Sequence, residues 1–284
     1  MKIGLAKSAG FCFGVKRAIE LALETASGKD NVCMLGDIVH NEEVVRKIQD
    51  AGIKKIKRLA PARGKNKLLI LRAHGAGEAI FRRARSLGYR ILDATCPMVK
   101  EIHRIVKSME EKKCRIIVIG DKNHEEVLGI MGQLATKPIV ISDKTKIPLA
   151  AIKKTKKACA VVQSTQNLEH ALSIFRVIKN LVPELNFFNT ICRPTRLKQK
   201  EIRSMAKRHD IMIIIGSRES ANTRRLYEIS KSLNKKTYWI NYEGDIKKSW
   251  FKGVGSVGVS AGASTPDSAI QKVIARLKKI ILNS

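Results

Sequence analysis

Short apolar runs alternate along this chain with longer stretches in which apolar residues recur every three to four positions. The first pattern is that of buried strands, the second that of amphipathic helices. Strands are predicted over residues 2–6, 32–35, 68–72, 90–92, 115–119, 139–141, 158–163, 211–215, 237–240 and 256–259. Strands and helices in alternation indicate an α/β protein with largely parallel sheets. Several runs end in small or polar residues before a helical stretch begins, and open α/β sheets hold their ligands just beyond such carboxyl ends.

A longer period is visible when these polar ends are measured from three cysteines. Cys12, Cys96 and Cys192 are 84 and 96 residues apart, and 92 residues follow the last, so three units are expected, over residues 1–95, 96–190 and 191–284. Each cysteine opens a predicted helix, and Pro97 and Pro194 suit a first helical turn, where a missing N–H does no harm. Two polar strand ends follow in each unit. The first lies at His40-Asn41, at residues 120–126 and at residues 216–222; the second lies at Ala73-His74-Gly75, at residues 163–166 and at residues 260–265. One cysteine and two polar loops, three times over, describe a pseudo-threefold assembly with a shared centre. No glycine-serine linker separates the units, so close packing around that centre is expected.

Composition narrows the class. With 284 residues, 44% of them hydrophobic, the chain is able to form several packed units, and its longest apolar runs fall far short of the roughly 20 residues of a membrane-spanning helix. Lys7 and Gly10 interrupt the segment that a secretory signal would keep apolar, so a soluble, cytoplasmic protein with reduced thiols is expected. The 55 Lys and Arg against 25 Asp and Glu give a net charge of +30. The basic runs at 54–58 and 153–157 lack interleaved aromatics, and they read as solvated surface or steering charge for anions. A basic nucleic-acid-binding α/β protein is the rival class, supported by net charge alone.

Cysteines at helix starts are suited to carry thiolates, because the helix amino terminus favours negative charge. Three of them together would ligate iron, and a [4Fe-4S] cluster on three thiolates leaves one iron open to substrate; the alternative is that each is an inert packing residue. Cys33, Cys114 and Cys159 lie in or beside apolar runs and read as small buried hydrophobes. His40, His74 and His124 each follow an apolar strand, and with Ser220, Asn222 and Ser264 they form a donor-rich set of the kind that holds a diphosphate. Taken singly, each histidine reads equally as a structural one. Lys122 and Arg218 either add positive charge or point to solvent. Glu126, among the negative charges of phosphate and cluster, is expected to have a raised pKa suited to proton delivery; alternatively Glu125 or Glu126 simply begins the next helix. Neither a Rossmann fingerprint, a P-loop nor a CxxC pair is present, so electrons are expected from outside the chain.

These residues fall in blocks. Ala9-Gly10-Phe11-Cys12-Phe13-Gly14-Val15, Val39-His40-Asn41, Ala73-His74-Gly75, Asp93-Ala94-Thr95-Cys96-Pro97, Gly120 with His124-Glu125-Glu126-Val127 and Gly129, Thr190-Ile191-Cys192, Gly216-Ser217 with Ser220 and Asn222, and Ala261-Gly262-Ala263-Ser264 with Pro266-Asp267 follow one another to about Arg276. In that order they resemble the signature blocks of the 4-hydroxy-3-methylbut-2-enyl diphosphate reductase family. The resemblance implies a trefoil of three α/β units around an oxygen-sensitive [4Fe-4S] cluster, and the last step of the methylerythritol phosphate route to isoprenoids. There the substrate hydroxyl binds the unique iron and leaves as water after a two-electron reduction through an allyl intermediate, giving isopentenyl and dimethylallyl diphosphates. It further implies Cys12, Cys96 and Cys192 as cluster ligands. His40, His74, His124, Ser220, Asn222, Ser264 and the Ala221 backbone would hold the diphosphate, and Glu126 with Ser164 or Thr165 would relay protons. A small acidic electron carrier of the ferredoxin or flavodoxin type is the expected partner, and a cluster reductase of another allylic diphosphate is the nearest alternative activity. The chain departs from the family pattern at Ser164, at Ala221, at Arg193-Pro194 and at Glu219, the last adding negative charge beside the expected diphosphate.

Overall fold

The computed structural model describes residues 1–26, 31–62 and 67–282. Among these the strands are β1 (Lys2–Leu5), β2 (Val32–Leu35), β3 (Lys54–Ile56), β4 (Leu68–Leu71), β5 (Arg90–Asp93), β6 (Arg115–Ile119), β7 (Ile139–Ile141), β8 (Lys157–Val162), β9 (Glu184–Phe188), β10 (Ile211–Ile215), β11 (Thr237–Ile240) and β12 (Ser256–Ala261). The α-helices are α1 (Phe13–Ala26), α2 (Glu42–Asp50), α3 (Glu78–Ser86), α4 (Pro97–Glu111), α5 (Glu125–Met131), α6 (Leu149–Lys153), α7 (Leu168–Lys179), α8 (Arg193–Arg208), α9 (Ala221–Leu233) and α10 (Asp267–Leu282).

The strands form three four-stranded sheets, ordered β3-β2-β4-β5, β7-β6-β8-β9 and β11-β10-β12-β1, with every pairing parallel. The three orders are the same topology, provided β1 is counted as the fourth strand of the last sheet. Its Lys2 to Leu5 run beside Ser256 to Val259, and Met1 and Ile3 pack on the core of that sheet. This corrects the division at residues 95 and 190: the repeating unit ends, rather than begins, with a cysteine. β5 leads to Cys96, β9 to Cys192 and β1 to Cys12. By packing, the chain forms two compact units. One comprises residues 1–15, 40–44 and 193–284 and holds the sheet of β10 to β12 and β1; the other comprises residues 16–39 and 45–192 and holds the other two sheets.

In each sheet the first and third strands are the central neighbours, and their connections leave toward opposite edges. That is a topological switch point, where a crevice opens at the carboxyl ends. The two polar loops of every unit follow these two strands, which is why the sequence shows them in pairs. The central strands are buried on both faces: β10 is fully buried along its length and so is β6 after Arg115. Such strands read as continuous apolar runs. Two edge strands were not predicted. β3 is Lys54-Lys55-Ile56 within a basic run, and β9 alternates between exposed Glu184 and Asn186 and half-buried Leu185 and Phe187. Charge on an edge blocks pairing with another chain while leaving the inner ladder intact.

A glycine seam sets the position of the loop after β4. α5 approaches that loop backbone to backbone: a Cβ on Gly132 would stand 2.6 Å from the Gly77 Cα, and one on Gly77 would stand 2.8 Å from the Gly132 Cα. The Glu78 N–H donates to the Gly132 carbonyl at 2.9 Å, and Gln133 Nε2 donates to the Ala76 carbonyl at 2.7 Å. Gly132→Ala should therefore force a backbone shift and lower stability by about 1–3 kcal/mol, as overpacking does. Urea denaturation measures this, and an unchanged midpoint would show that the seam yields without cost.

Candidate active site

The three cysteines of the repeat are presented alike. Cys96 is the N-cap of α4 with Pro97 at its first position, while Cys12 and Cys192 immediately precede α1 and α8. Each donates its own peptide N–H to a carbonyl of the loop after the neighbouring central strand: Cys12 to Ala263 at 3.1 Å, Cys96 to Ala73 at 3.0 Å and Cys192 to Ser164 at 3.1 Å. All three side chains are partly exposed and free of disulfides, whereas Cys33, Cys114 and Cys159 are buried. Burial pushes the Cys33 thiol up and, with Cys114 nearby, pushes Cys159 up to about 12, which keeps both as protonated, inert core groups. Behind Cys96, Asp93 accepts from the Thr95 N–H at 3.0 Å and pairs with Lys100 on α4 at 2.6 Å, which fixes the approach to the cysteine.

In the larger compact unit the loops after β4, β6 and β8 carry His74, His124 with Glu126, and Ser164 with Thr165. His124 caps α5, its Nδ1 accepting the Glu126 N–H at 3.2 Å, so the neutral ring carries its proton on Nε2. The His74 ring meets it edge-on at 5.4 Å between centroids. Glu125 opens α5, pairs with Arg72 and lies 3.5 Å from His74 Nδ1. The two acidic residues are placed differently. Glu125 is the charged residue at the helix start, while Glu126 turns inward, 1% exposed, with its two carboxylate oxygens accepting the Ser164 N–H and Oγ–H at 2.6 Å each. Burial pushes the Glu126 carboxyl up against the opposing pull of these two bonds. The cause differs from the expected one, since burial alone suffices without neighbouring anions. Of Ser164 and Thr165, Ser164 faces Glu126, while Thr165 Oγ1 accepts from Gln163 Nε2 at 3.1 Å.

In the other compact unit, Ser220 caps α9, its Oγ accepting the Thr223 N–H at 3.3 Å, and Ala221 opens the helix. Helix starts leave N–H groups directed outward, a setting that favours anions. Asn222 Oδ1 accepts the Ala263 N–H at 3.0 Å, on the same residue whose carbonyl receives Cys12. Its Nδ2 is buried without a partner among the described residues, which is a donor in want of a ligand. Ser264 Oγ donates to the His40 carbonyl at 3.0 Å. Glu219 stands mostly in solvent, with 76% of its side chain exposed and Oε2 4.0 Å from His40 Nδ1. Arg218 is turned onto the Trp239 ring, 4.4 Å from its centroid, and donates to the Trp239 carbonyl at 2.8 Å, while Lys122 is exposed.

A family model described as LytB protein matches residues 3–278. The chain belongs to the LytB family. Among its curated relatives, the 4-hydroxy-3-methylbut-2-enyl diphosphate reductase of Aquifex aeolicus (strain VF5) is 39% identical over 284 residues, covering 97% of this chain and 96% of the relative. That of Dictyoglomus turgidum is 38% identical over 280 residues, covering 99% and 97%. Of solved structures, (E)-4-hydroxy-3-methyl-but-2-enyl diphosphate reductase, the terminal enzyme of the non-mevalonate pathway, superposes with a TM-score of 0.70 at 38% identity, covering 98% of this chain and 100% of that one. The E-1-hydroxy-2-methyl-but-2-enyl-4-diphosphate reductase of Plasmodium falciparum superposes at 0.90 with 28% identity, covering 98% and 88%. The LytB fold is thus shared along essentially the whole chain. Sequence reasoning missed the supports behind these loops, namely Arg72 behind Glu125, Gln163 behind Thr165 and Asp93 behind Cys96. Gln163 is 1% exposed, and a polar residue closing the apolar run of a predicted strand was the available signal.

The raised Glu126 pKa has a sign that can be checked. The folded protein keeps this proton to higher pH than the unfolded chain, whose glutamates titrate near about 4.3. Stability from the group is full below that pH and is lost as pH rises toward the folded value. Glu126→Gln does not titrate, so its urea midpoint should improve relative to the parent as pH rises above about 4.3. A difference that is flat with pH would show that burial does not raise this carboxyl.

Proposed function

We propose that the chain catalyses the reductive dehydroxylation of (E)-4-hydroxy-3-methylbut-2-enyl diphosphate: two electrons and two protons enter, the allylic C–O bond breaks, water leaves, and isopentenyl or dimethylallyl diphosphate forms. The observation that carries this reading is the threefold recurrence of a partly exposed cysteine at a helix start, hydrogen-bonded through its N–H to the neighbouring loop. Full-length likeness to reductases of this name supports it. Three equivalent thiols fit an iron–sulfur group and its preference for sulfur ligands, and we assign Cys12, Cys96 and Cys192 to hold a [4Fe-4S] cluster. Bound there, such a cluster would pass on the electrons delivered by an external carrier.

The protein's own residues bind, orient and protonate. His124, with Nε2–H as donor, joins His40 and His74 in holding the diphosphate; Asn222 Nδ2, the hydroxyls of Ser220 and Ser264 and the Ala221 N–H at the start of α9 complete the set. Arg72 and Glu125 hold His74 from behind. Glu126, its carboxyl pushed up by burial and aimed by Ser164, delivers a proton toward the departing hydroxyl. Thr165 lies beside this relay and contacts substrate. We place the protein in the cytoplasm, with an acidic electron carrier of the ferredoxin or flavodoxin type steered by the positive surface. Anaerobic assay with the substrate and a strong chemical reductant tests the whole reading; a colourless, iron-free and inactive preparation after anaerobic reconstitution would defeat it.

The ligand count and the acid each give an expected outcome. Ser in place of any one of Cys12, Cys96 or Cys192 should remove turnover and most bound iron, while Ser at Cys33, Cys114 or Cys159 should leave both largely intact; iron retained by the Cys192 variant and lost by the Cys33 variant would reverse the assignment. Glu126→Gln should lower turnover by roughly 10²- to 10⁴-fold with a much smaller change in substrate binding. Parallel steady-state rates and substrate titrations read this, and near-normal turnover would move the proton to another donor.

A further inference from the structure

The three helices that follow the cysteines are equivalent by topology, so each position on one has a counterpart on the other two. Six residues after the cysteine, α1 has Ala18 and α4 has Ile102, both buried apolar side chains at 0% and 1% exposure. The counterpart on α8 is Lys198, 3% exposed. It lies in the core-facing stripe of α8 with Thr195, Gln199 and Ile202. An ammonium group in such a place costs free energy unless all its protons are accepted. Backbone carbonyls accept them: Lys198 Nζ donates to Gly10 at 2.9 Å, to Ala261 at 3.3 Å and to Ser8. Gly10 takes a left-handed conformation, φ +89°, at this contact. One turn further along α8, Glu201 accepts the Lys7 N–H at 2.7 Å, the Ser8 N–H at 2.9 Å and the Ser8 hydroxyl at 2.5 Å.

The carbonyls that Lys198 gathers belong to two segments, the loop that runs into Cys12 and the end of β12 that runs into Ala263. These are the segments joined by the Cys12 N–H to Ala263 carbonyl bond. We propose that Lys198 is the positioning residue for Cys12: it locks the two segments together, and its buried positive charge, held at the Gly10 carbonyl two residues before Cys12, favours the reduced state of a group that Cys12 would hold. The proposal rests on the assignment of Cys12 as a cluster ligand for its electrostatic half, while its positioning half concerns the protein alone. A neutral side chain packs at this position in the other two repeats, so filling the core does not account for the lysine. Added negative charge on an iron–sulfur group is stabilised by a nearby buried cation, and charge is one of the factors that set such potentials.

Two variants and two readouts test it. In the metal-free protein, Lys198→Met should speed amide exchange of residues 8–12 by about 10-fold or more, because local opening is no longer held closed, while segments around Cys96 and Cys192 keep parental rates. In the anaerobically reconstituted protein the same variant should move the cluster's midpoint potential to a more negative value. Lys198→Gln, which keeps an amide donor without the charge, should recover part of the exchange protection and none of the midpoint. Glu201→Ala should loosen the same loop and leave the midpoint near that of the parent. Parental exchange in both Lys198 variants overturns the positioning role, and a parental midpoint in both overturns the electrostatic one. If Lys198→Met does not fold, the glutamine variant carries both readouts. A parent protein that binds no iron would defeat the cluster assignment instead, and the exchange result would still decide whether Lys198 holds the loop.

Discussion

A single peptide hydrogen bond, made three times, organises this molecule. A strand at the edge of a parallel sheet runs out into a cysteine, and that cysteine's N–H is taken by a carbonyl in the loop after the adjacent central strand. The bond places the cysteine beside the switch-point crevice of its sheet, and it starts a helix of 14 to 16 residues in the next step of the chain. A thiol fixed at a helix start is partly exposed and in a field that favours negative charge, whereas a thiol in a central strand is buried and kept protonated. The difference in exposure among the six cysteines thus follows from their place relative to the sheets.

The same geometry positions the polar groups of the loops. Each loop that carries a candidate side chain is tied by a second residue in its own unit. Arg72 offsets part of the cost of its own burial through Glu125 and Asp37, Gln163 joins the loops after β6 and β8 by accepting the Asp121 N–H at 2.9 Å, and Asn222 joins α9 to the loop after β12. Glycines do the same by having no side chain, since the Gly77 and Gly132 seam lets the His74 loop lie directly on the helix that begins at His124. Polar groups held in this way would lose little freedom on binding a ligand, which is the benefit of preorganisation.

Much of this was legible in the chain. The central strands announce themselves because burial on both faces demands unbroken apolar runs, and the polar loops announce themselves because they interrupt those runs at regular distances. The edge strands β3 and β9 were not legible, since an edge needs only half its residues buried and accepts Lys54, Lys55 and Glu184. Nor was the place of β1. Its apolar pattern predicts a strand equally well in either sheet, and only the pairing with β12 shows that the repeat is permuted, with its first strand closing the last unit. Glu126 stood out by its loop, but the distinction between it and Glu125 depends on which side chain turns inward, and adjacent residues of one type carry no such information.

The permutation also makes the three cysteine sites unequal. Cys96 and Cys192 each follow a strand that is close in sequence to its sheet partner, β5 beside β4 and β9 beside β8. Cys12 follows a strand whose residues 2–5 pair with residues 256–259, so its site closes a loop of about 250 residues. Loop closure becomes slowly more costly with length, and contacts between distant segments form late. Tethering from a distant helix is therefore most useful at Cys12: Glu201 and Lys198 reach from α8 to the loop before Cys12, and Lys198 grips the end of β12 as well, whereas Asp93 and Lys100 fix Cys96 from its own strand and helix. A fold that repeats one device three times strengthens it at the copy where the chain itself contributes least.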